Sequence, residues 1–262
     1  MKKLIANYLM IFLVASMAAA YAMDKPAESK SIFSKIKSSF KLTPEEATQK
    51  LRALIDKKSE DITFKKVEPL VAAGANIEVQ SSQGKTILIR AVEEDNSPLV
   101  AFLLKNGADA KVGALLAKAA LNGSAPIVKQ LIKAGADINE KDNNFTALYY
   151  ATDILKPELV GMLLDAGANP NIQAPETGNT PLHAISEERQ YRVYSPEKRD
   201  EIISLLVANG ADVTIANKRG KTPAMLLRGT KQEALLKIPQ NVKYDETSLK
   251  LLEQMQKGKG RK

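Results

Sequence analysis

Residues Asn143 to Asn171 read N-N-F-T-A-L-Y-Y-A-T-D-I-L-K-P-E-L-V-G-M-L-L-D-A-G-A-N-P-N, and this stretch decides the fold. Thr146 stands where a hydroxyl can accept from a free backbone N–H at the start of a helix. Leu148 and Ala151 follow at helical spacing, so the first short helix presents one apolar side. Leu159, Val160, Leu163 and Leu164 give a second helix its own apolar stripe. Gly167 closes that helix, because glycine enters the left-handed conformation that a side chain disfavours. A helical pair of this kind has greasy surface on two sides and needs neighbours to cover it.

The closing motif recurs. It is found at Gly74-Ala75-Asn76, Gly107-Ala108-Asp109, Gly135-Ala136-Asp137, Gly167-Ala168-Asn169 and Gly210-Ala211-Asp212, at intervals of 33, 28, 32 and 43 residues. The opening motif recurs with it. Gly84-Lys85-Thr86-Ile87-Leu88-Ile89-Arg90-Ala91, Gly178-Asn179-Thr180-Pro181-Leu182-His183-Ala184 and Gly220-Lys221-Thr222-Pro223-Ala224-Met225-Leu226-Leu227 all place a threonine before an apolar helix. Where proline follows the threonine, its fixed φ suits the first helical turn.

These motifs resemble the ankyrin repeat, with its T-P-L-H-x-A opening, second apolar helix and glycine-terminated close, at a family period of about 33 residues. The resemblance implies an all-α fold, a solenoid of stacked helix-turn-helix units joined by short β-turn fingers. The 28-residue interval implies that the copy beginning near Val112 has lost most of its finger and enters its first helix almost directly after Ala110. The 43-residue interval implies an insertion, assigned to the inter-helix loop from Glu187 to Arg199, with the second helix resuming at Ile202. In the fourth copy Asn144 stands where the family usually has glycine; asparagine tolerates the left-handed region.

Five segments follow from this reading: a leader over 1–22, a polar basic linker over 23–42, the repeat domain over 43–238, a capping helix within 239–257 and a basic disordered tail over 258–262. Met1 to Ala22 combines Lys2 and Lys3, an apolar run from Leu4 to Ala20, and Ala20-Tyr21-Ala22 as a small-x-small cleavage site, the three zones of a secretory signal. Cleavage is expected after Ala22, with the periplasm or the exterior as destination and no membrane association afterwards. The other reading of the run is an uncleaved anchor. Ile32, Phe33, Ile36 and Phe40 in the linker form either a weak amphipathic docking helix or an anchor onto the first repeat. The first repeat opens with Thr43-Pro44-Glu45-Glu46, a capping box, and Leu51, Leu54 and Ile55 form its apolar side. Gln232 to Lys237 reads as a truncated second helix of the last copy, and Asp245 to Gln256 as the cap.

Composition narrows the chemistry. The chain has 262 residues, a formal charge of +8, one histidine and no cysteine or tryptophan. There is no C-x-x-C, H-E-x-x-H, G-x-S-x-G or phosphate loop. One histidine falls short of ordinary zinc ligation. His183 occupies the T-P-L-H position, which in the family resembles a structural element tying adjacent turns. Glu93-Glu94-Asp95 and Glu187-Glu188 read as solvated surface. No catalytic, cofactor or metal site is expected.

Function is therefore expected from shape: a non-catalytic protein-interaction module acting as scaffold, adaptor or inhibitor, monomeric, with another protein as partner and no specific nucleic acid. An exported bacterial effector engaging a host protein is the alternative, and an enzyme with an unadvertised site the third reading. The resemblance places Lys85, Phe145, Asn179 and Lys221 at finger tips, just before each threonine. Phe145 there is either a binding anchor or packed onto the adjacent finger. Tyr191, Arg192 and Tyr194 in the insertion are residue types enriched at binding hot spots; the other reading folds the tyrosines over the neighbouring helices.

Overall fold

The computed structural model describes residues 42–57, 62–186 and 195–237. The expected leader, linker, C-terminal cap and tail lie outside them, as do Tyr191, Arg192 and Tyr194. The described chain is helical: α1 Pro44–Ile55, α2 Phe64–Ala72, α3 Ile87–Glu93, α4 Ser97–Lys105, α5 Leu115–Leu121, α6 Ala125–Lys133, α7 Ala147–Asp153, α8 Pro157–Asp165, α9 Pro181–Ser186, α10 Pro196–Ala208 and α11 Pro223–Leu227, then a 3₁₀ helix Lys231–Lys237. Among the described residues the β structure consists of one isolated bridge, Lys141 to Thr146.

The described residues fall into two compact units, one within 42–90 with 105–108 and the other within 91–104 with 109–237. In the first, α1 starts with the expected capping box. The Glu46 amide donates to the Thr43 hydroxyl at 3.2 Å and the Thr43 amide to the Glu46 carboxylate at 3.0 Å. Leu51, Leu54 and Ile55 are buried, as is Val67 of α2, which pairs with α1. The finger after α2 turns through Ser81, whose carbonyl accepts from Gly84 and whose amide donates to the Lys85 carbonyl. Asp56 anchors it by accepting from the Ser82 amide at 3.0 Å and hydroxyl at 2.7 Å.

The second unit holds the repeat stack. Helix pairs α5/α6, α7/α8 and α9/α10 form hairpins; first helices pack on first helices in the order α5, α7, α9, α11, and second helices in the order α6, α8, α10, 3₁₀. The stack buries Leu131, Leu148, Leu159, Leu163, Leu182 and Leu206 completely or nearly so. Each such side chain stabilises the fold by about 1.5–3 kcal/mol. No neighbour-free hairpin could hide them, so the stacking follows from the pattern that the sequence repeats.

All five closing motifs share a glycine at positive φ and one side-chain bond at the Asn or Asp that follows. At Gly167 φ is +90°, the Gly167 amide reaches the Leu164 carbonyl and the Ala168 amide the Leu163 carbonyl, a Schellman close. The residue that follows, Asn or Asp, then accepts from the amide two positions on. Asn76 to Glu78, Asp109 to Lys111, Asp137 to Asn139, Asn169 to Asn171 and Asp212 to Thr214 all make this bond, at 2.7–3.0 Å. Asn and Asp satisfy it equally, because both carry a side-chain oxygen at the same distance from the backbone.

Three local expectations need correction. The third copy enters its first helix later than expected: α5 begins at Leu115 and not almost directly after Ala110, because Gly113 and Ala114 take positive φ in the short turn. In the fourth finger the left-handed residue is Asn143, at φ +68°, one place before Asn144. The long inter-helix loop is shorter than expected: α10 already starts at Pro196, with proline in the first turn. From there Arg199 donates to the Ile185 and Ser186 carbonyls at 3.2 and 3.3 Å, so the supposed loop residue caps the C-terminal end of α9.

Candidate functional site

In the second unit three fingers stand side by side, 137–146, 169–180 and 212–222. Each is fixed to the next by side chains bonding to main chain. The Asn139 carboxamide accepts from the Asn169 amide at 2.8 Å, and the Asn171 carboxamide from the Asp212 amide at 2.7 Å. Asn171 also donates to the Gly210 carbonyl at 2.9 Å. Nearer the tips, Lys141 Nζ donates to the Gln173 carbonyl at 2.9 Å, and Gln173 Nε2 to the Ala216 carbonyl at 3.1 Å. The Lys218 amide donates to the Thr177 carbonyl at 2.9 Å.

The last two fingers meet most closely. Gly178, at φ +71°, lies so near that a Cβ there would be 2.8 Å from the Lys218 amide nitrogen. Asn217, nearly buried, donates to Asn179 Oδ1 at 2.8 Å while its own Oδ1 accepts from the Arg219 and Lys221 amides at 3.0 Å each. Asn179 is 5% exposed. Its expected place at an exposed tip is therefore corrected: the carboxamide is spent inside the finger row, where repeat stacking covers it.

His183 is fully buried beneath this contact. Nδ1 accepts from the Thr180 amide at 3.1 Å and lies 2.8 Å from the Thr180 hydroxyl; Nε2 lies 3.0 Å from the Lys221 carbonyl. A main-chain amide can only donate and a carbonyl only accept, so the ring carries its proton on Nε2. His183 thus joins the start of its own helix to the next finger, as the resemblance implied.

Phe145 is half-buried, not a free tip. Its ring stacks on Tyr149, with centroids 4.2 Å apart and planes at 23°, and meets Tyr150 edge-on at 5.4 Å. It packs against a small cluster of Tyr149, Ala174 and Ala184, so the adjacent finger shares its cover. A shallow recess beside it is lined by Lys141, Asn144, Phe145, Tyr149, Ile172 and Gln173. Tyr150 donates its hydroxyl to Asp142 at 2.9 and 3.0 Å. Burial first, then the hydrogen bond and negative charge of Asp142, push its phenol well above the ordinary tyrosine range. Asp212 shifts the other way: bonds from the Thr214 hydroxyl and amide hold its carboxyl below the usual range.

Of the remaining tip residues, Lys221 is exposed and Lys85, in the first unit, is half-exposed. The structural roles of Asn217 and Gln173 do not follow from the sequence pattern. The signal is faint: each is a carboxamide in a finger, and only the neighbouring repeat, 38 positions back for Asn217 and 43 on for Gln173, shows what it bonds. Among the described residues no group of three or more histidine, aspartate and glutamate side chains could hold a metal ion. No helix among them is long and apolar enough to cross a membrane.

The geometry defines an ankyrin-type stack, and the comparisons agree. Residues 116–217 match the family model for ankyrin repeats, in three copies, so this part of the chain carries ankyrin repeats. A Rickettsia felis protein named for ankyrin repeats is 33% identical over 114 residues, 41% of this chain and 48% of the relative. Human Rabankyrin-5 is 30% identical over 158 residues, 58% of this chain and 11% of the relative. The chain thus spans less than half the length of either. The crystal structure of an ankyrin repeat domain from Acinetobacter baumannii superimposes with a TM-score of 0.61 at 24% identity, covering 71% of this chain and 95% of that one. At that identity the likeness establishes the fold.

Proposed function

We propose that this chain is a non-catalytic protein-binding module, a scaffold, adaptor or inhibitor, whose working surface is the row of fingers 137–146, 169–180 and 212–222, and that it acts outside the cytoplasm after loss of residues 1–22. The observation that carries the reading is the contrast within the row. Main chain and carboxamides are locked from finger to finger, while the side chains of Lys218, Arg219 and Lys221 remain exposed at the last tip. A surface whose backbone is ordered before binding loses little conformational entropy on association. Fold alone is a weak warrant for a particular partner, so the partner's identity rests on experiment.

Chemical crosslinking in the native cell, followed by affinity capture and mass spectrometry, tests the interaction. One protein should be enriched, and the enrichment should fall when the finger tips are substituted. Equal capture by a chain whose tips are all replaced would overturn the assignment of the surface. Mass spectrometry of the recovered chain tests export: the N-terminus should be Met23, and an intact Met1 would refute cleavage.

A further inference from the structure

We propose that the tip of the last described finger, Lys218, Arg219 and Lys221, receives a short acidic segment of the partner protein, an inference that rests on the protein-binding reading above. Three cations lie within four positions at one turn, and all three are exposed. None of the three side chains makes a hydrogen bond or ion pair among the described residues. Their backbone, by contrast, is held at every position. Asn217 Oδ1 accepts from the Arg219 and Lys221 amides, Thr177 accepts from Lys218, and the Lys221 carbonyl faces His183. The charges are thus mounted on a rigid base, with no partner among the described residues to leave.

The same bonds exclude a compact anion site. The Gly220 amide is also used, by the Asn217 carbonyl at 2.9 Å, so no main-chain N–H at the turn is free to cradle a single phosphate. An anion here is met by side chains alone, which suits several carboxylates spread along a segment. The neighbouring fingers limit its length. Glu176 is the single charged residue of 169–180, and 137–146 carries Asp137, Glu140 and Asp142 against Lys141. A long polyanion or a broad anionic surface would run from the basic tip onto these carboxylates and be repelled. Finger 212–222 has no aromatic residue on which a base could stack. The carboxylates of the preceding fingers and the lack of an aromatic in this one favour a brief acidic cluster over nucleic acid or anionic lipid.

The test uses the full chain and fluorescence anisotropy with a labelled Gly/Ser peptide bearing a central run of glutamates. The Glu peptide should bind, its Gln counterpart should not, and added salt should weaken the complex. The triple variant Lys218→Gln, Arg219→Gln, Lys221→Gln should lose about tenfold or more in affinity. A control variant, Lys111→Gln, Lys129→Gln, Lys133→Gln, removes the same charge elsewhere on exposed positions and should bind as the unaltered chain does. The inference is overturned if the Glu peptide does not bind, if both triple variants lose affinity equally, or if a thymidine oligonucleotide or phosphatidylglycerol vesicles bind more tightly than the peptide. Because the peptide assay needs no native partner, its failure is separable from a failure of capture. Circular dichroism of the tip variant should match the unaltered chain, since the three side chains make no hydrogen bond or ion pair among the described residues.

Discussion

Replacing Gly178 by alanine tests whether the fingers are coupled. Two costs are readable from the structure. At φ +71° a non-glycine residue pays the left-handed penalty, about 1–2 kcal/mol. The new Cβ would also stand 2.8 Å from the Lys218 amide nitrogen, a main-chain atom that moves only if the next finger moves. Relieving that overlap costs about 1–3 kcal/mol more, in part through the Lys218 to Thr177 hydrogen bond. Gly220 supplies the control. Its φ is +69°, yet nothing lies within 4 Å of its would-be Cβ. Gly220→Ala should therefore cost about 1–2 kcal/mol and Gly178→Ala about 2–5 kcal/mol, the difference measuring finger-to-finger contact. Urea unfolding of the two variants, followed by circular dichroism, gives the comparison, provided the slope is unchanged. Equal destabilisation of the two, or less at Gly178, would refute the coupling.

Three further outcomes are expected. His183→Ala empties a buried site and strands the Thr180 amide, so about 2–4 kcal/mol should be lost in the same unfolding assay; a loss under about 1 kcal/mol would mean that the ring's bonds contribute little. Asn171→Ala removes one acceptor and one donor between successive repeats and should lower stability by about 1–2 kcal/mol, with faster hydrogen exchange at the Asp212 amide as the local sign. Tyr150, raised in the folded state, favours its neutral form; its stabilising contribution is complete below the unfolded value of about 10 and is lost as pH rises through the folded value. Asp142→Asn should bring the tyrosinate absorbance of Tyr150, isolated by difference from Tyr150→Phe, to lower pH, and an unmoved titration would remove Asp142 as a cause.

The stack was legible because its determinants are local. Thr146 caps α7 through the Tyr149 amide, Gly167 closes α8, and Leu148, Leu159 and Leu163 sit at helical spacing, all within one repeat. The surface was less legible because its determinants lie between repeats. Asn179 occupies the same motif position as Lys221, yet one is covered by the following finger and the other is not. Phe145 likewise packs against a cluster that includes Ala174 in the next finger. Helix α10 is longer than its apolar pattern indicates because Pro196, Glu197 and Lys198 give no apolar periodicity; proline's fixed φ and the Arg199 contacts start the helix there instead.

The links made by Asn139 and Asn171 ask for a particular side chain on one partner only, since the other contributes a peptide N–H that almost any residue possesses. A whole repeat could be duplicated or excised by recombination and the seam would still close, without matched changes on both sides. Thr214 occupies the corresponding place in the next copy and turns its hydroxyl back to Asp212 at 2.6 Å, not forward. Growth of the array by copying is thereby cheap at Asn139 and Asn171, and a copy added after Thr214 would need a new asparagine there before it could be held in the same way.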